Sequence, residues 1–341
     1  MSDPQLAAPP AARPQTGVDV LVVALATTAG WRGAVPALAE AIERAGATVA
    51  VAAAPPVREV RTFALTDLVQ ARAARAAAQA GVAAHRPRAL VYASATAALL
   101  GPRPGAIWFD SPAAENRPGR HGVWQRPLER RRVARAPLLL PMSDGGLQAL
   151  DPLPRTPAVV LPVPVEPSGD PSGHAERDVA ALAYAADARK KGLDRILAAW
   201  ASARRPDETL LVAGQPAGRL GDGAEGAGLL APQDYRALVR RARLFVAAPR
   251  HEDYGIAQLE ALADGCRLVT TPGGGPYPAR ELARTLDARL VSDDLAAAIR
   301  AALDAPVDDY AARAAQLLGP YRRAAFDATV REQVLPALLG G

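Results

Sequence analysis

The stretch Ala247-Ala248-Pro249-Arg250-His251-Glu252-Asp253-Tyr254-Gly255-Ile256-Ala257-Gln258-Leu259-Glu260-Ala261-Leu262-Ala263-Asp264-Gly265 reads as a strand end, a loop and a helix. Leu244-Phe245-Val246 is a short apolar run, and Pro249 ends it. From Gly255 onward the apolar residues Ile256, Leu259, Leu262 and Ala263 recur at helical spacing. The first turn of such a helix presents unpaired N–H groups and a positive dipole end, which suits an anion. Glu252 precedes that end. Glu260 follows about one and a half turns inside, roughly 7 Å along the axis at ~1.5 Å per residue. A phosphate held at the tip would have one carboxylate on each side, and each could accept hydroxyls, one set from a transferred sugar and one from a ribose. That is the outline of a sugar nucleotide.

Taken singly, Glu252 reads as a solvated loop charge and Glu260 as an exposed helix charge. The apolar neighbours of Glu260 argue against that, because a carboxylate near a buried face needs a partner. With Tyr254-Gly255 and the following Leu259-Glu260-Ala261-Leu262-Ala263, the stretch resembles the Glu-x7-Glu signature of retaining GT-B glycosyltransferases of the GT4 type. The resemblance implies an α/β chain with the GT-B fold, two Rossmann-like domains facing across a donor cleft. It implies Glu252, Tyr254, Gly255, Ile256, Ala257 and Glu260 as donor contacts.

The totals are compatible with that outline. A chain of 341 residues, half of them hydrophobic, can build two domains of ordinary size. The single cysteine, Cys266, excludes an internal disulfide and suits a reducing compartment. No run of about 18 apolar residues suggests a membrane span, and Met1-Ser2-Asp3-Pro4 does not begin a secretory signal. A cytoplasmic protein is expected. Net charge is +5, carried almost wholly by arginine, and aromatics are only 4%. Without a zinc spacing or an RNA-binding signature, that bias toward Ala and Arg does not point to nucleic acid.

In chain order, residues 1–16 read as a disordered tail. Val18 to Leu25 is a buried strand, followed by the turn Thr27-Thr28-Ala29-Gly30-Trp31-Arg32-Gly33 and a helix over 34–45. Gly30 and Gly33 leave room for a ligand near the backbone or simply form a tight turn. They do not make the Gly-x-Gly-x-x-Gly fingerprint of a nicotinamide site. The resemblance puts this loop at the donor phosphates. Asp110 stands at the end of the strand 106–110, where open α/β sheets place functional groups. It reads equally as the cap of a turn before Pro112. GT4-like chains commonly carry a donor-touching His nearby; here Asp110 and Ser111 occupy the position, and Asp110 is kept as a catalytic candidate. Arg117 to Arg135 carries seven arginines with His121 and Trp124. It reads either as a solvated helix face or as an acceptor surface for an anionic acceptor or membrane face, with His121, Trp124 and Arg126 as candidates. A strand over 158–161 closes the first half.

The expected organisation is an N-terminal acceptor domain over 17–163, a Pro/Gly-rich linker over 164–177, a donor domain over 178–320, and a C-terminal helix over 321–341 returning to the first domain. In the second half, the strand Val179–Tyr184 runs into Ala185-Ala186-Asp187-Ala188-Arg189-Lys190-Lys191-Gly192. These are the only lysines in the chain, and an ammonium is a compact charge for a phosphate oxygen. The resemblance makes Lys191 the lysine that neutralises the leaving diphosphate. Its companion arginine position is Ala186 here, with Arg189 or Lys190 as substitutes. It also assigns Leu230 and its neighbours to a base pocket formed by backbone groups. The triple glycine 273–275 reads as a further close approach of backbone to ligand. The chain has no Asp-x-Asp pair, so metal independence is expected, and the resemblance implies a retaining hexosyltransferase without cofactor, acting from a nucleotide-diphosphate sugar. The acceptor would be a small molecule, glycan or lipid, with peripheral contact at the inner membrane face open. Lys191 and Glu252 are the catalytic residues in that reading. A GT-B-like scaffold that has lost catalysis and a sugar-nucleotide epimerase are the competing readings.

Overall fold

The computed structural model describes residues 17–25, 29–57, 60, 62–169 and 177–340. Two sheets organise the chain. The first contains β1 (Val20–Leu25), β2 (Val49–Ala54), β3 (Ala89–Ala93), β4 (Ala106–Phe109) and β5 (Leu139–Pro141), in the order β2-β1-β3-β4-β5. All of its pairs are parallel. The second contains β6 (Val179–Tyr184), β7 (Leu210–Ala213), β8 (Gly218–Gly221), β9 (Ala224–Gly228), β10 (Ala242–Ala247) and β11 (Arg267–Thr270). Its order is β11-β10-β6-β7-β9-β8, parallel except for the β8–β9 hairpin. The apolar runs that read as buried strands are buried: β1, β4 and β5 throughout and β10 along all but one residue. Parallel strands covered on both faces require such runs.

Several boundaries differ from the expected ones. The first helix runs Ala29–Arg44, starting earlier than its apolar pattern suggested, and a second runs Phe63–His85. Thr62 explains the second start, since its hydroxyl accepts the Leu65 N–H at 3.2 Å as an N-cap. The hairpin β8–β9 was not anticipated. Its strands are short and glycine-rich, so they lack the apolar alternation that marks a strand. The expected strand over 158–161 is reduced to one bridge between Leu139 and Ala158. The expected tail, Thr27 and Thr28, and part of the linker lie outside the described residues.

The C-terminal stretch forms the helices Arg323–Thr329 and Leu335–Leu339, joined by a π-helical turn over Val330–Val334. It packs on the first sheet's side of the molecule. Phe326 lies 6.2 Å from the Trp108 ring, and Arg44 pairs with Asp327 at 2.8 Å. Trp108 on β4 is fully buried, meets Trp31 edge-on at 5.3 Å and donates its indole N–H to the Leu161 carbonyl at 2.9 Å. One residue thus ties the first helix, the chain leaving the first sheet and the C-terminal helices together. Trp108→Ala should lower stability by about 3 kcal/mol or more, read as the shift in urea midpoint.

Candidate functional site

The site begins with two loops joined to each other. The turn after β6 folds on itself: Asp187 accepts the Lys190 N–H at its carboxylate and the Lys191 N–H at its carbonyl, both at 2.9 Å. Gly192 then starts the helix Leu193–Ala203 in the left-handed region, φ 66°. A Cβ there would stand 2.0 Å from the Ala248 carbonyl oxygen, so only glycine lets this turn approach the chain leaving β10. The Arg250 N–H donates to the Lys190 carbonyl at 2.9 Å, and the Arg250 guanidinium grips both oxygens of Asp194 at 2.8 and 2.7 Å. Arg250 belongs to the decisive stretch but acts here as a fastener.

The glycine turn after β11 braces the same loop from behind. The Glu252 N–H donates to the Gly274 carbonyl at 2.5 Å. Gly274 and Gly275 have φ of 97° and 102°, and a Cβ on them would meet the Pro249 and Glu252 carbonyl oxygens at 2.6 and 2.4 Å. Their close approach is therefore to this chain's own loop. That corrects the expectation of a ligand at those two positions; at Gly273 a Cβ would meet nothing within 4 Å.

On this platform the helix Ile256–Ala263 starts at Gly255, φ 79°, and among the described residues no side chain caps its first turn. Glu252 is buried, with 5% of its surface exposed, and its Oε2 accepts Lys191 Nζ at 2.5 Å and Gln258 Nε2 at 3.0 Å. Lys191 Nζ also lies 6.0 Å from the centre of the Tyr184 ring, which meets Tyr235 edge-on at 5.8 Å. Lysine, carboxylate and uncapped helix start thus converge. Gln258 is the member that sequence reading missed. Its Nε2 is committed to Glu252, while its buried Oε1 has no partner among the described residues and sits 3.3 Å from where a Gly255 Cβ would be. A glutamine on the inner face of a helix otherwise lined by Leu259 and Leu262 was the available signal.

Glu260 pairs with Arg236 at 3.3 Å, and Arg236 also grips buried Asp264 at 2.8 Å. Burial raises the Glu260 pKa and Arg236 pulls against it. The carboxylate is a quarter exposed, so one side remains open to a ligand. Ile256, Ala257 and Leu230 are partly buried and pack on the core. Tyr254 differs from expectation. Its ring is buried and its hydroxyl lies 3.5 Å from the Val163 carbonyl, so the side chain is a core element rather than a donor contact. Ala186 is exposed and backs onto the Gly214 turn.

The first half faces this platform with Asp110. Its Oδ1 accepts the Ser111 N–H at 2.9 Å, the turn role, but its carboxyl also answers to the other half. Burial, reinforced by the charge of Asp253, pushes its pKa up to about 6, with Lys190 opposing. Asp253 holds Lys190 at 2.7 Å and the His251 ring at 3.0 Å. Burial would raise the Asp253 pKa, yet His251 and Lys190 hold it well below the usual carboxylate range. The same Asp253 bond raises the His251 pKa against the opposing effect of burial. A cavity of about 730 Å³ opens between the halves beside this network, lined by Glu115, Asp144 and Gly145 on one side and Gly275, Tyr277 and Arg280 on the other.

The acceptor-side candidates do not gather at that cavity's lining. The Trp124 indole donates to the Ala64 carbonyl at 3.1 Å, Arg126 donates to the Gly119 carbonyl, and His121 stacks edge-on to Phe63 at 5.6 Å. Buried Asp67 organises their neighbours. It takes Arg117 at 2.7 and 3.0 Å and Gln125 at 2.9 Å. Arg132 likewise serves the Leu99 and Gly101 carbonyls at 2.9 and 2.8 Å. Part of the arginine run is therefore internal bracing, a role that suits a fork of five donors. Gly33 is exposed, and a Cβ there would meet nothing within 4 Å; Gly30 is partly buried one turn before it. Among the described residues no three His, Cys, Asp or Glu side chains gather as a metal site, and no helix is long and apolar enough to cross a membrane.

Residues 177–305 match the family model described as "Glycosyl transferases group 1". No curated protein matches the sequence. Among solved structures, the chain is similar to WaaG, a glycosyltransferase involved in lipopolysaccharide biosynthesis, at 16% identity, TM-score 0.67, covering 95% of this chain and 100% of that one. It is similar to the sucrose-phosphate synthase of Thermosynechococcus elongatus at 15% identity and TM-score 0.61, covering 91% and 96%. It is also similar to Anabaena HepE in complex with UDP, at 13% identity and TM-score 0.64, covering 93% and 99%. The fold is that of GT-B glycosyltransferases, and the group 1 domain over 177–305 makes the chain an enzyme of that type.

The Asp110 environment yields a pH-dependent expectation. Its folded pKa of about 6 lies above the ordinary 3.8, so its ionisation disfavours the folded state as pH rises through that window. Asp110→Asn should raise the melting temperature at pH 8 and leave it nearly unchanged at pH 4, measured by calorimetry at both.

Proposed function

We propose that this enzyme transfers a sugar from a nucleotide-diphosphate donor to an acceptor hydroxyl with retention at the anomeric carbon and without a metal ion. One observation carries the reading: Lys191 Nζ sits on buried Glu252 beside the uncapped start of the Ile256–Ala263 helix. The helix start favours a phosphate through free N–H groups and its dipole. The lysine adds a mobile point charge, and Glu252 holds it in place until a diphosphate offers more negative charge. HepE's complex with UDP supports the donor class.

In the proposed reaction the acceptor oxygen bonds to the anomeric carbon as the bond from that carbon to the diphosphate oxygen breaks. The departing phosphate oxygen takes the acceptor proton, on the same face of the sugar. Lys191 and the helix start stabilise the charge that develops on the leaving group. Glu252 and the unpartnered Gln258 carbonyl receive sugar hydroxyls, and the open side of Glu260 receives the ribose. The acceptor enters through the interdomain cavity beside Gly275, where Asp110 and the Asp253 network face it. The base is held by backbone near Leu230, so its identity is left to experiment. A reducing cytoplasmic compartment suits the single, buried thiol of Cys266.

A melting-temperature screen against UDP-, GDP-, ADP- and TDP-sugars should find one stabilising donor, and nucleotide release from it should require an acceptor. A donor-dependent interaction made only as charge develops is worth roughly 3 kcal/mol. Lys191→Ala should therefore lower turnover on the order of 100-fold when assayed well below its melting temperature, which should itself fall because buried Glu252 loses its partner. An unaltered rate would remove Lys191 from the reaction, and the absence of any binding donor would favour a scaffold.

A further inference from the structure

The segment that follows β4 reaches the interdomain cavity with little of its own to hold it. Asp110 and Ser111 leave the strand, and Pro112 offers no side-chain cap to the short helix Ala113–Asn116. Glu115 on that helix lines the cavity between the halves, across from Gly275. A Cβ on Gly275 would stand 3.2 Å from the His251 ring, so the turn faces the loop that carries the Asp253 network. It forms part of the wall past which the acceptor enters.

Its anchor comes from another element. Glu129, in the helix Gln125–Arg135, is 7% exposed, and both of its carboxyl oxygens accept the Ala113 N–H, at 2.9 and 3.1 Å. Ala113 is buried as well, so losing this acceptor would strand a donor away from water. Among the described residues no cation pairs with Glu129. Arg117 is spent on Asp67, Arg132 on the Leu99 and Gly101 carbonyls and Arg126 on the Gly119 carbonyl, while Arg130 stands 3.9 Å from exposed Asp151. On the inner side Ala95, Ala98, Ile107 and Phe109 bring no charge. Burial accordingly pushes the Glu129 pKa up to about 7; the Ala113 N–H, Arg117 and Arg130 oppose the rise, and Asp67 adds to it. Beside the carboxyl lies a cavity of about 90 Å³, walled by Pro112, Ala114, Val133 and Leu150 and edged by Arg126 and Arg130.

We infer that Glu129 is a positioning residue of the acceptor side: through the Ala113 N–H it fixes the 110–116 turn, and with it the stretch of cavity wall that Glu115 occupies. The inference rests on the acceptor route proposed above, and Glu129 itself touches no substrate. In the pinned turn the carboxyl is dry and without a cation, which favours its neutral form. Released, it gains water or one of the two guanidinium groups through the adjoining cavity, which favours its ionised form. Its pinned pKa of about 7 lies above the ordinary 4.5, so ionisation works against the pinned turn. Opening of the turn therefore grows as pH rises from about 5 to about 7 and levels off above that.

Hydrogen exchange of the full chain, read on residues 111–116 and corrected for the intrinsic effect of pH on amide exchange, tests this. The variants are Glu129→Gln, whose amide carbonyl accepts the same N–H and never ionises, Glu129→Leu, which has no acceptor, and Arg131→Ala, an exposed charge control on the same helix. In the parent, residues 111–116 should open about tenfold more at pH 8 than at pH 5.5. Glu129→Gln should stay protected at both pH values. Glu129→Leu should open about tenfold more than the parent at pH 5.5, with no dependence on pH. Arg131→Ala should match the parent, and protection of β1 should be the same in all four chains. Binding of UDP, GDP, ADP and TDP, followed by calorimetry, should not differ between the parent and the Glu129 variants, since the donor side lies on the other half. Equal protection of 111–116 in the parent at the two pH values, or a Glu129→Leu chain protected there like the parent, refutes the role. Loss of β1 protection or of nucleotide affinity together with that of the turn makes Glu129 a general structural residue and refutes it too. If the parent binds none of the four nucleotides, the donor reading fails and the acceptor assignment falls with it, even where the exchange results hold.

Discussion

The bond between the Arg250 N–H and the Lys190 carbonyl, with Gly192 packed on Ala248, holds two loops in one surface. Everything at the site depends on that join. The loops come from β6 and β10, which are neighbours in the sheet, and each brings half of the chemistry. One contributes a lysine pair, the other two carboxylates and a helix start. Apart, they would be ordinary solvated charges; joined, they exclude water from one another and interact at lower effective dielectric. The join is made by backbone and by a glycine that cannot be replaced without collision, so it is insensitive to side-chain motion.

A second consequence is that the resting site is already internally paired. Lys191 with Glu252 and Lys190 with Asp253 satisfy groups that would be costly to bury alone. A ligand must therefore compete with existing partners, and phosphate can do so because it carries more charge than a single carboxylate. Asp253 adds a link across the cleft. It binds His251 and Lys190 on its own side and raises the proton affinity of Asp110 on the other. The two halves are coupled electrostatically before any ligand arrives, and the core through Trp108 and Phe326 couples them mechanically.

Much of the arginine here does structural work. Arg250, Arg236, Arg117 and Arg132 are structural, each meeting carboxylates or carbonyls with several donors at once. The run from Arg117 to Arg135 illustrates the point. It looks like a surface in sequence, yet Asp67 draws Arg117 and Gln125 inward, while Trp124 is anchored separately on Ala64.

The sequence by itself determined the two α/β halves, since buried parallel strands need the uninterrupted apolar runs at Val20–Leu25 and Leu244-Phe245-Val246. It also determined the helix start at Gly255, because glycine, a loop before it and helical spacing after it are local facts. The proximity of Lys191 to Glu252 followed from the family resemblance, not from spacing, as they lie 61 residues apart. Only the tertiary structure decided the rest. Gln258 became visible once its Nε2 was seen on Glu252; Gly274 and Gly275 proved to brace a loop; and Tyr254 turned into the core. The β8–β9 hairpin escaped because glycine strands carry no side-chain pattern. The physical reason is common to all of these. Period and turn chemistry are written in neighbouring residues, whereas whether a polar group has a partner depends on what folding brings beside it.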